Sequence, residues 1–321
     1  MLRYILSRLV MIIPILIGVS FLLFMLLTLA PGDPAQIALG TDATEEQLEL
    51  FREQNGLNAP PLIQYFNYMK KAVTGDFGIS YITKQNVNSM IALRVGNTLI
   101  LAFSSLIVIL IISMPLGISM AVKQNSVFDN VMRVVTIITT SMPHYWLALM
   151  LILLFSVILG WLPSTGFSSF THLIMPVICL AGGGLTMSAR TTRSSMLEVK
   201  NQDYIRTARA KGLSQGYIIR KHMLKNSLLP MVSVYGRIVA TCFNGSVILE
   251  TIFGINGMGT MMTTALRQKD VPAIMGCILI SACIISVVNL LTDITYAFID
   301  PQIKLKYVQK RGKHKVVSAG E

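Results

Sequence analysis

The residues able to do chemistry are few, and their setting says more than their number. Arg237 and Asp293 fall inside apolar runs, and Glu250 sits near the end of one of them. An ionisable group in hydrocarbon marks an ion path, a proton relay or a substrate pathway unless it merely snorkels or pairs, as Arg237 could with Asp293. Asn244 and Ser141 add polar positions, and Pro143 frees backbone carbonyls that could line a cavity. Hydrolytic chemistry has no footing here. The sequence holds no H-E-x-x-H, no G-x-S-x-G and no paired carboxylates within one apolar run. His144, His172, His222 and His314 are scattered, and Cys179, Cys242, Cys277 and Cys283 form no C-x-x-C pair and no metal-ligand spacing. No catalytic residue and no metal ligand is assigned.

The elements that hold these residues follow from composition. The 321 residues are 53% hydrophobic and 13% charged, with a mean hydropathy of +0.63. A soluble domain carries about 25% charge, and several apolar runs here reach the ~20 residues that cross a bilayer. The sequence therefore predicts an all-α integral membrane protein with six transmembrane helices, over 9–29, 97–122, 133–159, 173–189, 228–250 and 273–299. The first run follows Arg3 and Arg8 as in a signal peptide, but its length and the Ala30-Pro31 junction predict a retained span.

Basic residues set the orientation. With the amino terminus inside, 19 of the 27 Lys and Arg residues fall on the inner side, seven fall outside, and Arg237 lies within a span. The reverse orientation would contradict the positive-inside rule, so both termini are predicted to be cytoplasmic. The same placement explains the net charge of +12 without nucleic acid. The expected domains are 1–30 (amino terminus and first span), 31–96 (an external cap), 97–300 (a five-helix core containing a cytoplasmic loop at 190–229) and 301–321 (a basic cytoplasmic tail). In the cap, Thr44 and Gln47 form a capping box that starts a helix bearing Leu48 and Phe51 on one face. Pro60-Pro61 opens a second helix whose Leu62, Tyr65, Phe66, Met69 and Val73 repeat at helical spacing. The cap is expected to lie on the outer membrane face, as a functional element or as a cover for helix ends.

The loop at 190–229 carries nine bases and two acids. Within it, Asp203 to Lys211 reads as a helix, with opposite charges placed to complement its dipole and Gly212 placed to stop it. A second helix is expected over 215–228, with Pro230 marking re-entry into the bilayer. Ala208 and Ala210 leave room for a partner to approach; contact with anionic lipid is the alternative.

This loop resembles the cytoplasmic EAA loop of ABC importer permeases. The residues from Thr192 to Val199, from Asp203 to Leu213, from His222 to Asn226 and Leu228-Leu229-Pro230 are similar to those of the dipeptide/oligopeptide/nickel permease family, B-type subunit. So are Pro31-Gly32-Asp33-Pro34, the run from Gly75 to Ser80, Trp161-Leu162-Pro163, Glu250 to Gly259, and Asn289 to Pro301. Arg206 and Thr207 stand where the general pattern has Glu and Ala, and the spacing from Gly212 to Pro230 is about five residues longer, as it is in the peptide-importer branch.

The resemblance implies a Type I importer permease fold in a bacterial or archaeal cytoplasmic membrane. Asp203, Tyr204, Arg206, Thr207, Ala208, Lys211 and Gly212 would belong to a coupling helix seated on an ATPase. The region from Glu250 through Gly257 to Gly259 would form a gate loop, and Asn244, Ser141 and Asp293, polar positions within the spans, are the further pathway candidates. It further implies a heterodimer with a homologous second permease, two cytoplasmic P-loop ATPases holding ATP and Mg, an extracytoplasmic binding protein and surrounding lipid, with no cofactor in this chain. The sequence itself has no G-x-x-x-x-G-K-[ST]. Peptide is the expected cargo, with nickel, metallophore or glutathione import by the same fold as the alternative. An ion-coupled secondary transporter using Asp293 is a more distant one, with no internal repeat to support it.

Overall fold

A computed structural model describes residues 2–299; the side chains of 2–9, 229, 244, 245 and 296–299 lie outside that description, as does the basic tail at 301–321. The chain is almost wholly helical. Its first helix, α1 (Leu2–Leu29), is a membrane span. Three short helices follow: α2 (Pro34–Leu39), α3 (Glu45–Gln54) and α4 (Pro61–Val73). The core then comprises α5 (Val87–Val122), the pair α6 (Val127–Ser141) and α7 (His144–Leu151), α8 (Phe170–Lys200), α9 (Asp203–Ala210), α10 (Gln215–Tyr217), α11 (Lys225–Ile252), α12 (Met258–Arg267) and α13 (Val271–Ile299). Among the described residues five of these helices are long and apolar enough to cross a membrane, and the bent pair Val127–Ser141 and His144–Ile158 makes a sixth when counted as one span.

Four expected boundaries move, each for a local reason. The second span begins ten residues early, at Val87, because the Asn86 side chain accepts the Asn88 amide and caps the helix there. The region expected as the third span is bent, with α6 and α7 meeting at 102°. Pro143 disfavours helical backbone at the residue before it, and Met142 is accordingly extended (φ −83°, ψ 124°). A π-helical stretch, Ile152–Ile158, follows α7. The helix of the fourth span does not end at Ala189 but runs on to Lys200, since no glycine or proline stands between the two. Pro230 does not restart a helix. Helical backbone is continuous from Gln215 through a π-helical stretch (Ile218–Leu224) to Ile252, with Pro230 inside. The 190–229 loop is thus largely helical, with α9 and its flanks joining the extended ends of α8 and α11.

The core sits where α5, α8 and α11 pack together. Leu101, Ile109, Cys179, Leu180, Val234, Ile238 and Leu249 are buried there. Gly117 marks a close approach of α5 and α8: a Cβ would stand 2.6 Å from the Ala189 carbonyl oxygen, which belongs to backbone and cannot yield.

The 31–96 segment forms its expected helices. Thr44 Oγ1 accepts the Gln47 amide at 3.3 Å and Gln47 Oε1 accepts the Thr44 amide at 3.0 Å. Leu48 and Phe51 are buried against Ala35. Asp33 caps α2 through the Ala35 amide (2.9 Å) and also accepts from Arg52 Nη2 (2.6 Å). Asp270, at the entrance to α13, accepts from the Ser80 hydroxyl and from the Tyr81 amide (3.0 Å), tying the segment to the core. Burial, with Asp270 nearby, pushes the Tyr81 hydroxyl up to about 12. The inward face of α4 is not the expected one. Tyr65, Tyr68 and Met69 pack against Phe24 and Met275, whereas Leu62, Phe66 and Val73 are exposed.

Candidate coupling and gate sites

The sequence-predicted residues fall at opposite ends of one continuous helical segment, Gln215 to Ile252. At its beginning stands α9. Ile205 and Ala208 are buried, and they pack with Ala121 of α5, Met196 of α8, and Ile218 and Met223 of the π-helical stretch. This overturns one expectation: Ala208 faces its own chain and leaves no room for a partner. Its small side chain instead lets α9 lie flat on the ends of α5 and α8. The other face is open, with Asp203, Tyr204, Arg206, Thr207, Arg209, Ala210, Lys211 and Gly212 all exposed.

The helix stop is a Schellman motif. Gly212 takes φ +75°, its amide donates to the Arg209 carbonyl (2.9 Å), and the Leu213 amide donates to the Ala208 carbonyl (3.3 Å). Arg206 lies 3.7 Å from Asp203, with both side chains largely in water, so that pair contributes little. The Asn226 side chain donates to the Tyr204 hydroxyl at 3.2 Å and fastens α9 to the start of α11. Arg220, Lys221 and Lys225 surround an open groove beside Tyr217. The exposed face is therefore basic and mounted on buried Ile205 and Ala208, with Tyr204 held by Asn226.

At the far end, Glu250 is fully buried and organises the turn into α12. Its Oε2 accepts the amides of Gly259 (2.7 Å) and Thr260 (3.1 Å), and its Oε1 accepts the Thr98 hydroxyl (2.7 Å). Thr98 Oγ1 in turn accepts the Met258 amide at 2.9 Å. The first amides of α12 are thus satisfied by side chains from α11 and α5, with the carboxylate at the positive end of the helix dipole. Gly257 and Gly259 are glycines because the carboxylate must come this close. A Cβ on Gly257 would collide with Glu250, and one on Gly259 would stand 2.5 Å from Val247 Cα. The connecting loop is also tied outward. Asn97 Nδ2 donates to the Asn256 carbonyl (2.8 Å), Arg94 Nε to Asn256 Oδ1 (3.0 Å), and the Gly166 amide to the Phe253 carbonyl (2.9 Å).

The remaining candidates are not brought together with these. Ser141 is exposed at the end of α6 and donates to the Ile137 carbonyl of its own helix. Asn244 belongs to α11, with its side chain outside the described ones. Asp293 is half-buried far along α13, and α11 crosses α13 where Gly236 meets Thr292, so Asp293 and the exposed Arg237 each stand one residue from that crossing. His144 contacts the Cys179 carbonyl (3.2 Å) through Nδ1 and packs over Gly183, as an interhelical contact. Among the described residues no group of three or more His, Cys, Asp or Glu could hold a metal ion.

Sequence reasoning missed one pair. Asp129 at the start of α6 is fully buried and accepts from Arg193 Nε (2.7 Å) and Nη2 (2.8 Å), while the Asn125 amide donates to its Oδ2 (3.0 Å). The two-pronged contact fixes α6 to α8 just before α8 delivers the chain to α9. An acid among basic loop residues was the available signal, together with Arg193 in a motif segment.

Comparison with known proteins gives the family of the chain. A family model described as "Binding-protein-dependent transport system inner membrane component" matches residues 113–305, and one for the N-terminal part of such components matches 1–102. The chain is 39% identical over 315 residues to the oligopeptide transport system permease protein AppB of Bacillus subtilis (strain 168), covering 95% of this chain and 100% of the relative. It is 37% identical to the glutathione transport system permease protein GsiC of Escherichia coli (strain K12), and 38% identical to the dipeptide transport system permease protein DppB of Alkalihalophilus pseudofirmus, with the same coverages. Among solved structures, an inward-facing MetNI methionine ABC transporter chain superposes with a TM-score of 0.56 at 19% identity, over 66% of this chain and 96% of that one, which shows a shared fold. The two family models and these relatives establish the chain as a member of the binding-protein-dependent transport system inner membrane components, a multi-pass permease subunit of an ABC importer.

Proposed function

We propose that this subunit forms half of a peptide pathway, with α9 as the coupling helix on the cytoplasmic side and the Glu250–Thr260 turn as part of the external gate. The carrying observation is the two-faced α9. Ile205 and Ala208 bury one side against the ends of α5 and α8, leaving Tyr204, Arg206 and Lys211 exposed on a rigid mount. Such a mount passes a push from outside the subunit into the spans as rigid-body movement. The partners in this reading are a homologous second permease, two ATPases that hold ATP and Mg, and an external binding protein; both termini are cytoplasmic, and this chain carries no cofactor. Peptide cargo is supported by the oligopeptide and dipeptide permeases among the relatives. Glutathione, itself a short peptide, is the second reading, on the likeness to a glutathione permease.

The experiment is purification from native membranes in mild detergent, followed by uptake in vesicles supplied with ATP and the co-purified binding protein. Labelled di- and oligopeptides, glutathione and a nickel chelate are offered in turn. ATP-dependent peptide uptake supports the proposal. Uptake of the nickel chelate alone would replace the cargo, and uptake without ATP by the isolated chain would overturn the coupling role.

A further inference from the structure

We propose that α4 is an interfacial helix whose Leu62, Phe66 and Val73 stripe is seated among the lipid acyl chains on the membrane face opposite α9. Three arcs divide the helix. At 3.6 residues per turn, Leu62, Phe66 and Val73 fall within about 40° of one another, and they are 53%, 66% and 83% exposed. An adjoining arc holds Tyr65, Tyr68 and Met69, which pack on the core. The third carries Gln64, Asn67 and Lys71. A helix resting above the membrane would turn its exposed side to water and would have no use for a contiguous stripe of Leu, Phe and Val.

The depth of α4 decides between lipid and water. The Tyr65 hydroxyl lies 3.0 Å from Ser20 Oγ and donates to the Ile17 carbonyl at 3.2 Å, both well inside the span of α1. Its ring stacks edge-on to Phe21 and tilts against Phe24, with centroids 5.2 and 5.7 Å away. Phe24 precedes the end of α1 at Leu29 by five residues, or about 7.5 Å, and Met275 follows the start of α13 at Val271 by four, or about 6 Å. Two independent spans therefore place the inward side chains of α4 at least about 6 Å below their ends, with Tyr65 reaching Ile17 about 18 Å down, at or beneath the ~5–10 Å at which amphipathic helices settle at the boundary of headgroups and acyl chains. Lys70 and Lys71 close the helix with exposed ammonium groups that can reach lipid phosphates. α1 continues the surface, with Leu22 and Leu26 also exposed.

The test is spin-label accessibility in the full chain, assembled with its partner subunits in phosphatidylcholine/phosphatidylglycerol vesicles. The native cysteines are buried or half-buried, so a surface label finds an introduced thiol. Phe66→Cys and Leu62→Cys should collide with oxygen several-fold more than with a water-soluble nickel complex, and Asn67→Cys should show the reverse. A nickel-dominated signal at Phe66→Cys would put the stripe in water and overturn the proposal. Suppression of both collisions would overturn it too, since a protein partner would then cover the face. All three thiols sit at exposed positions, and thermal stability equal to the parent's excludes a folding defect.

Discussion

The Glu250 carboxylate receives the Gly259 amide at 2.7 Å across the turn between α11 and α12, and the same oxygen takes the Thr260 amide. Replacing Glu250 with Ala strands two backbone donors and the Thr98 hydroxyl in a buried place, at a cost of about 1–3 kcal/mol. Glu250→Gln can keep both amides on its carbonyl oxygen and donate to Thr98, so its loss should be smaller. Thermal unfolding of the purified transporter, read beside ATP-dependent uptake, should order the variants parent, Gln, Ala. Equal behaviour of Gln and Ala would mean that charge, and not the capping geometry, holds the turn.

Gly259→Ala tests the close approach itself. The added methyl meets Val247 Cα, a backbone atom, and overpacking of this kind typically costs 1–3 kcal/mol. Gly18→Ala, where nothing lies within 4 Å of the new Cβ, should leave stability and uptake unchanged.

At the other end, Gly212→Pro requires a φ near −65° where the chain has +75°, and it removes the amide that donates to Arg209. Uptake should be abolished while membrane insertion persists. Gly212→Asn should retain most of it, since Asn tolerates the left-handed region. Quantitative immunoblotting of membranes beside uptake assays separates the two effects, and normal uptake by the Pro variant would end the coupling assignment.

The two faces of α9 should respond differently. Arg206→Glu changes only an exposed charge, so ATPase co-purification and uptake should fall with no change in unfolding temperature. Ala208→Leu forces a larger side chain between α9 and the π-helical stretch and should lower stability itself.

Asp129→Ala leaves the Arg193 guanidinium without its buried partner, and losses of about 3–5 kcal/mol accompany such broken pairs. The double variant Asp129→Ala/Arg193→Met should recover part of that loss. A thermal-unfolding double-mutant cycle gives the coupling directly, and strictly additive effects would show that the pair does not hold α6 to α8.

What could be read from the sequence was whatever depends on neighbours a few residues apart. Thr44 and Gln47 announce their capping box, and Gly212 announces its stop, because both motifs close within one helical turn. The span limits were harder. Charge at Arg190 and Arg193 reports where water begins, but backbone hydrogen bonds continue there to Lys200. The Asp129–Arg193 contact joins residues 64 positions apart, and no local pattern encodes it. Tyr65 and Phe66 are adjacent and both aromatic. Only the position of α1 decides that the first turns inward and the second outward.

The unbroken helix between α10 and α12 has a mechanical consequence. The 28 residues of α11 make a rod of about 42 Å, and a 10° tilt about its middle carries each end through roughly 4 Å. A hydrogen bond does not survive such a stretch. A tilt imposed at Lys225 is therefore enough to separate Glu250 from the Thr98 of α5 unless α5 tilts with it. Under the proposed coupling role, the chain would work as a lever with its fulcrum in the core, a small angle at one end becoming a broken bond at the other.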